Sequence, residues 1–147
     1  MTEQPSCLGL QESKCENKTF PKELMDLGYH VIVSGQKMNN GVAMFLKTEP
    51  IRISTILLHD DQQDCRYIEV EMSDNTVYIN VYVPQGQKVG SEKYDYKLKF
   101  IKALRDRVEL LDKSCHVVLL GDINIASTDD DMYNPGLKEQ GSLLMYT

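Results

Sequence analysis

At 147 residues, with 16 Lys+Arg against 22 Asp+Glu, the chain carries a formal net charge of −6 and has room for one domain or part of one. Hydrophobic residues at 41% and charged residues at 26% suit a globular chain and argue against a disordered one. A pI near 5.0 argues against coating nucleic acid by bulk charge, while leaving room for an enzyme with a local basic groove. No apolar run approaches the ~18 residues of a membrane span. The start, MTEQPSCLGLQESK, has neither the basic nor the apolar region of a signal peptide. These features predict a soluble, cytoplasmic protein. Cys7, Cys15, Cys65 and Cys115 lack metal-ligand spacing and read as reduced thiols.

Most predicted elements are strands. CLGL (7–10) is a short apolar run, and FPKELMDLG (20–28) reads as a short helix with Pro21 at its first position and Gly28 as its stop. YHVIVS (29–34) and GVAMFLK (41–47) are strands about the polar turn GQKMNN, and the β-branched IRISTILL (51–58) continues the sheet. In RYIEVEM (66–72), Ile68, Val70 and Met72 alternate with Glu69 and Glu71, the pattern of a half-buried strand. Ser73-Asp74-Asn75 turns the chain into TVYINVYV (76–83), which Pro84 ends because it cannot donate to the ladder.

The period then changes. Tyr94, Leu98, Ile101, Leu104, Val108 and Leu111 recur at helical spacing, predicting one buried face with Lys97, Lys99, Lys102 and Arg105 toward solvent. HVVLLGDINI (116–125) reads as a buried strand, and the acidic clusters Asp60–Asp61 and Asp129–Asp131 as solvated loops. Antiparallel-looking strands with two helices predict α/β layers, a sheet covered by helices. A strand so close to Met1, and an ending GSLLMYT without a further element, predict a chain that has been cut.

Three places could carry chemistry, each at the end of an apolar run. Glu12 follows CLGL, where a carboxylate can bind Mg²⁺, although a glutamate after a strand is usually only exposed. On TVYINVYV, Val77, Ile79, Val81 and Val83 share one face and Tyr78, Asn80 and Tyr82 the other. That second face reads as solvated surface or, beside the loop Pro84-Gln85-Gly86, as part of a phosphate site. Gly121-Asp122-Ile123-Asn124 is the strongest. At period two, Asp122 and Asn124 point together, so the aspartate could orient or deprotonate a water while the asparagine amide donates to a phosphoryl oxygen. An ordinary Asp-Asn turn is the competing reading. His30 and His116 read as packing residues, and His59-Asp60-Asp61 as a solvated cluster rather than a proton relay. P-loop, G-x-G-x-x-G, H-E-x-x-H and G-x-S-x-G patterns are all missing.

In order, EQPSCLGLQESKC, LGYHVIVSGQKMNNGVAMF, INVYVPQG, KYDYKLKF and LLGDINIASTDDDMYNP resemble the exodeoxyribonuclease III family of abasic-site endonucleases, within the endonuclease/exonuclease/phosphatase superfamily. The resemblance runs from about Glu3 to the C-terminus. It implies part of a four-layer α/β sandwich, mostly antiparallel sheet with flanking helices, in a single partial domain over 1–147. It also implies a hydrolase dependent on Mg²⁺ or Mn²⁺, which cleaves duplex DNA 5′ to abasic sites and trims 3′ ends. By position, Glu12 matches the family's metal-binding glutamate and Tyr82 its active-site tyrosine at the scissile phosphate. Asp122 matches the aspartate that handles the proton and shares the metal, and Asn124 the asparagine that supports phosphate and metal. Arg66, Gln85 and Lys97 fall in segments near DNA.

The departures point to a fragment. Family members are nearly twice as long, with a preceding strand that carries an asparagine and a C-terminal half that carries Asp-Tyr and Ser-Asp-His motifs. The expectation is therefore a weakly stable chain whose inner sheet face lacks cover and whose activity is impaired, or one completed by a second chain. Competing readings are an inactive remnant or interaction module, and a phosphodiesterase acting on something other than DNA. The missing basic amphipathic stretch counts against a membrane lipid substrate. Lys14, Lys18, Lys37, Lys88, Lys93, Lys97, Lys99 and Lys102 could line one phosphate-binding rim.

Overall fold

The computed structural model describes residues 4–125, so the Asp129–Asp131 cluster and the GSLLMYT ending lie outside the described residues. Along the chain come β1 (Cys7–Gln11), α1 (Lys22–Met25), β2 (His30–Ser34), β3 (Val42–Leu46), β4 (Arg52–Ser54), β5 (Tyr67–Glu71), β6 (Thr76–Tyr82), α2 (Glu92–Glu109) and β7 (His116–Asp122). They form two sheets, ordered β1-β3-β2 and β4-β5-β6-β7. Every pairing is antiparallel except β6 with β7. A parallel neighbour needs a long crossover, and α2 supplies it. The helix starts cleanly because Ser91 accepts the N–H of Tyr94 at its first turn.

The two sheets pack face to face. Val42, Met44 and Leu46 of β3 meet Ile68, Val70 and Tyr82 of β5 and β6 between them. On the outer face of the four-stranded sheet, Val77, Ile79 and Val81 pack under Phe100, Ala103 and Leu104 of α2. On the outer face of the other sheet, Ala43 and Phe45 pack with Phe20 and Leu24 of the α1 segment. The order helix, sheet, sheet, helix is the expected four-layer α/β sandwich. The inner sheet face that was expected to lack cover is covered, by β1–β3. All five residues of β3 are buried because it is the central strand of a sheet covered on both faces, hence its unbroken apolar run. Among the described residues no helix is long and apolar enough to cross a membrane.

Several expectations are corrected. The strand expected over 51–58 is only Arg52–Ser54, because the Ser54 hydroxyl bonds the backbone of Ile56 and turns the chain out of the ladder. β5 is not half-buried. Glu69 lies buried under α2, where its carboxylate takes a two-pronged bond from Arg107 at 2.8 and 2.6 Å and the Tyr67 hydroxyl at 2.5 Å. The buried stripe of α2 runs through Lys97, Phe100, Ala103 and Leu104, while Leu98 is 41% exposed. Leu104 is buried as expected and Ile101, Val108 and Leu111 pack against the same core, but Lys97, expected toward solvent, lies inside, and so does most of Arg107. Both turn inward to oxygen partners. β7 is an edge strand with Val117, Val118 and Leu119 exposed rather than a buried one. His30 and His116 open their strands and are exposed, so neither packs in the core.

Candidate active site

Register builds the site. The parallel pairing of β6 with β7 sets Tyr82 directly beside Asp122, at the carboxyl ends of neighbouring strands where open α/β sheets gather ligands. The Tyr78-Asn80-Tyr82 face looks across at β1 and β3, not into solvent. Asn80 is fully buried. Its Nδ2 donates to Leu10 O at 3.1 Å and Ala43 O at 2.9 Å, and its Oδ1 accepts from Gln11 Nε2 at 2.7 Å. This amide bolts one sheet to the other. β1 passes so close to it that a Cβ on Gly9 would stand 2.7 Å from Asn80 Oδ1 and also strike Leu120 Cδ1.

Past the end of β1, Glu12 turns into the left-handed region at φ 56°. Its Oε1 accepts from the Tyr82 hydroxyl at 2.9 Å, and its Oε2 pairs with Lys14 Nζ at 2.7 Å. Lys14 above all, and then the Tyr82 hydroxyl, hold the Glu12 carboxyl below its usual range. Burial, and then the Glu12 carboxylate, push the Tyr82 phenol up. At neutral pH the pair is therefore an ionised carboxylate and a protonated phenol. The Arg66 guanidinium lies 4.8 Å over the Tyr82 ring and donates from Nη1 to Tyr82 O at 3.1 Å. Arg66 Nε is buried and has no hydrogen-bond partner among the described residues. Arg66, Tyr82, Gln85, Gln87, Lys93 and Tyr96 help line a cleft of about 220 Å³.

At the other strand end, β7 stops at Asp122 and the extended run expected to carry Asn124 does not occur. Asp122 Oδ1 accepts the Asn124 N–H at 2.9 Å, and Asn124 sits in the left-handed region at φ 51°. This is the Asp-Asn turn that competed with the catalytic reading. It leaves Asp122 Oδ2 outside that bond. The Asn124 amide donates from Nδ2 to Val83 O at 2.8 Å, leaving Oδ1 as its acceptor. Gly121 is required just before the turn, because a Cβ there would run into Val81 O.

Glu12, Arg66, Tyr82, Gln85 and Asp122 are thus brought to one end of the sandwich, whereas Lys97 is withdrawn beneath it and is 0% exposed. Sequence reasoning missed Lys14 as the partner of Glu12. It also missed Lys97 as a buried group, although Lys97 lies one helical turn from Phe100 and two from Leu104 on the apolar stripe. His59 stands in a second cleft of about 220 Å³ with Asp60, Asp61, Glu92 and Asp95. Asp60 is buried rather than solvated, its Oδ1 accepting the Gln62 N–H at 3.2 Å.

Across residues 2–139 the chain matches the model of the Endonuclease/Exonuclease/phosphatase family. The chain belongs to the endonuclease/exonuclease/phosphatase family. Within that family it is 39% identical over 137 residues to exodeoxyribonuclease III of Haemophilus influenzae, covering 88% of this chain and 51% of the relative. An AP endonuclease from Archaeoglobus fulgidus superposes with a TM-score of 0.83 at 36% identity, covering 93% of this chain and 54% of that structure. A 3′ phosphatase, NExo, from Neisseria, solved bound to a product DNA hairpin, superposes at 0.79 and 35% identity, covering 92% and 54%. The chain therefore spans about half the length of the family members it matches.

Proposed function

We propose that this chain carries the phosphodiester-cleaving site of a DNA-repair nuclease dependent on Mg²⁺ or Mn²⁺, which cuts duplex DNA 5′ to abasic sites and trims 3′ ends. One observation carries the reading most. The Tyr82–Glu12 hydrogen bond joins residues 70 positions apart, from two different sheets, beside the Arg66 guanidinium and Asp122. The names of the relatives, an exodeoxyribonuclease and an AP endonuclease, support the same substrate class.

The donor chemistry fits a hard divalent cation. Among the described residues no group of three or more His, Cys, Asp or Glu could cage a metal, so an all-protein site is not built here. Mg²⁺ is commonly held by one or two carboxylates with water and substrate phosphate supplying the rest. Glu12, at the strand mouth with a half-exposed carboxylate, would hold it, with Asp122 and the Asn124 amide oxygen as the nearby candidates. When bound, the cation would supply Lewis acidity at the phosphate.

The remaining work falls to side chains. Tyr82, kept protonated, fixes Glu12 with its single O–H, which would pass from that carboxylate to a phosphoryl oxygen once DNA is bound. Asp122, with Oδ1 tied into the turn, offers Oδ2 to orient a water or take its proton. Arg66, whose Nε has no partner among the described residues, and Lys93 offset phosphate charge in the cleft. Gln85 supplies an amide at its rim. Lesion choice would follow from the ease of turning out a sugar that has already lost its base.

The test is incision of a duplex oligonucleotide with a single abasic site by the purified chain in Mg²⁺, beside an EDTA lane and Asp122→Ala. The expected result is a cut 5′ to the lesion that disappears in both controls. No cut by a chain whose circular dichroism shows it folded would overturn the activity proposed for this chain.

A further inference from the structure

Lys97 is the least expected residue in the molecule. It is fully buried on the inward stripe of α2, yet none of the ion pairs among the described residues includes it. An ammonium taken out of water without a carboxylate partner is costly, so its hydrogen-bond partners carry the explanation. Both are backbone carbonyls of segments that frame the site. Nζ donates to Asn124 O at 2.6 Å and to Gln85 O at 3.3 Å. Burial lowers the lysine's pKa, which Asp122 partly offsets.

The same two segments are cross-linked around this ammonium. The Val83 N–H donates to Asp122 O at 2.9 Å, and Asn124 Nδ2 returns a bond to Val83 O at 2.8 Å. The Asn124 N–H is held by Asp122 Oδ1. Every backbone polar group of Asn124 is therefore engaged, and its carbonyl is engaged by Lys97. The stem is located as closely as the head. Gly86 sits at φ 79°, and a Cβ there would stand 2.8 Å from Lys97 Cδ. Ser91 Oγ donates to Gly86 O at 3.2 Å, fixing the loop from its other side.

We propose that Lys97 is a positioning residue: its buried ammonium clamps the turn after β7 to the Pro84–Gln87 loop and thereby sets where Asp122 and Asn124 stand. On this reading it acts from beneath the site, through the backbone of Asn124 and Gln85. The geometric claim stands apart from the nuclease reading. Its effect on turnover rests on that reading.

Two experiments on the full chain keep these apart. The first needs no variant. Reductive methylation followed by mass spectrometry should modify Lys97 at least about tenfold more slowly than exposed Lys93 and Lys99, as expected for a group reached only by local opening. Equal rates would overturn the clamp whether or not the chain cuts DNA. The second compares Lys97→Met with the unaltered chain by amide NMR and steady-state incision. The Asn124 and Gly86 resonances should move while those of β2 and β3 stay. The kcat should fall about 100-fold with KM unchanged, the signature of misplaced groups rather than lost binding. Unmoved Asn124 and Gly86 signals, or a raised KM at unchanged kcat, would sink the proposal. If the unaltered chain does not cut at all, the nuclease reading fails while methylation and NMR still decide the clamp. Should Lys97→Met not fold, methylation of the unaltered chain decides it alone.

Discussion

Glu69 shows which partners keep a buried carboxylate ionised in this molecule. Burial alone would raise its pKa, yet the Arg107 guanidinium and the Tyr67 hydroxyl offset this and hold it below the ordinary 4.5. A carboxyl depressed on folding lends stability at pH above its unfolded value and loses it as pH falls through its folded one. Thermal midpoints should therefore be level near neutral pH and fall once the pH drops below 4.5. Glu69→Gln should make that acid slope shallower. It should also lower stability at neutral pH by about 2–4 kcal/mol, because the mostly buried Arg107 loses its partner. An unchanged slope in calorimetry across the acid range would show that another carboxylate governs it. Glu12 has the same sign of shift, but its exposure leaves it little weight in stability and a larger one in keeping an anion ready beside the Tyr82 hydroxyl.

At the scale of elements, β6 decides the architecture, since it pairs with β5 on one side and β7 on the other and faces both layers of core. Asn80 in its middle is the place to test how the sheets are joined. Asn80→Ala leaves Gln11 Nε2 and two carbonyls without their partner and should cost about 3 kcal/mol in denaturant unfolding. A loss under about 1 kcal/mol would mean that apolar packing alone joins the layers. Period two correctly separated the valine face of this strand from its Tyr-Asn-Tyr face, because alternation is a local property of extended backbone. What lay opposite each face was not local, and so the wet reading of Tyr78, Asn80 and Tyr82 was open until β1 and β3 were seen against them. The same limit misled the reading of α2. A lysine or arginine in a periodic pattern signals solvent unless an oxygen waits inside, and the carbonyls of Gln85 and Asn124 and the carboxylate of Glu69 come from distant parts of the chain. The loss of strand after Ser54 was legible in principle, since serine competes for its neighbours' backbone, but a β-branched run hid it.

For the whole molecule, the net charge of −6 and the local cations pull in opposite directions. If Lys14, Arg66 and Lys93 meet three phosphates, the logarithm of the DNA-binding constant should fall with the logarithm of salt at a slope of about −3. Titrations of a duplex oligonucleotide at several salt concentrations give this directly. A slope near zero would remove phosphate contact from the account. Apolar side chains also stand exposed at both edges of the larger sheet, Ile51, Ile53 and Leu58 around β4 and Val117 to Leu119 on β7. Such edges favour association, which the acidic surface opposes.

The division of the site between two sheets has a bearing on folding order. Glu12 comes with β1, while Tyr82 and Asp122 come with β6 and β7. Either sheet formed alone holds an incomplete set, so the set is assembled only at the step that docks one sheet on the other. On the proposed function, a newly made or partly melted chain would then have no means of nicking the genome. Competence to cut would arrive together with the native state and depart with it.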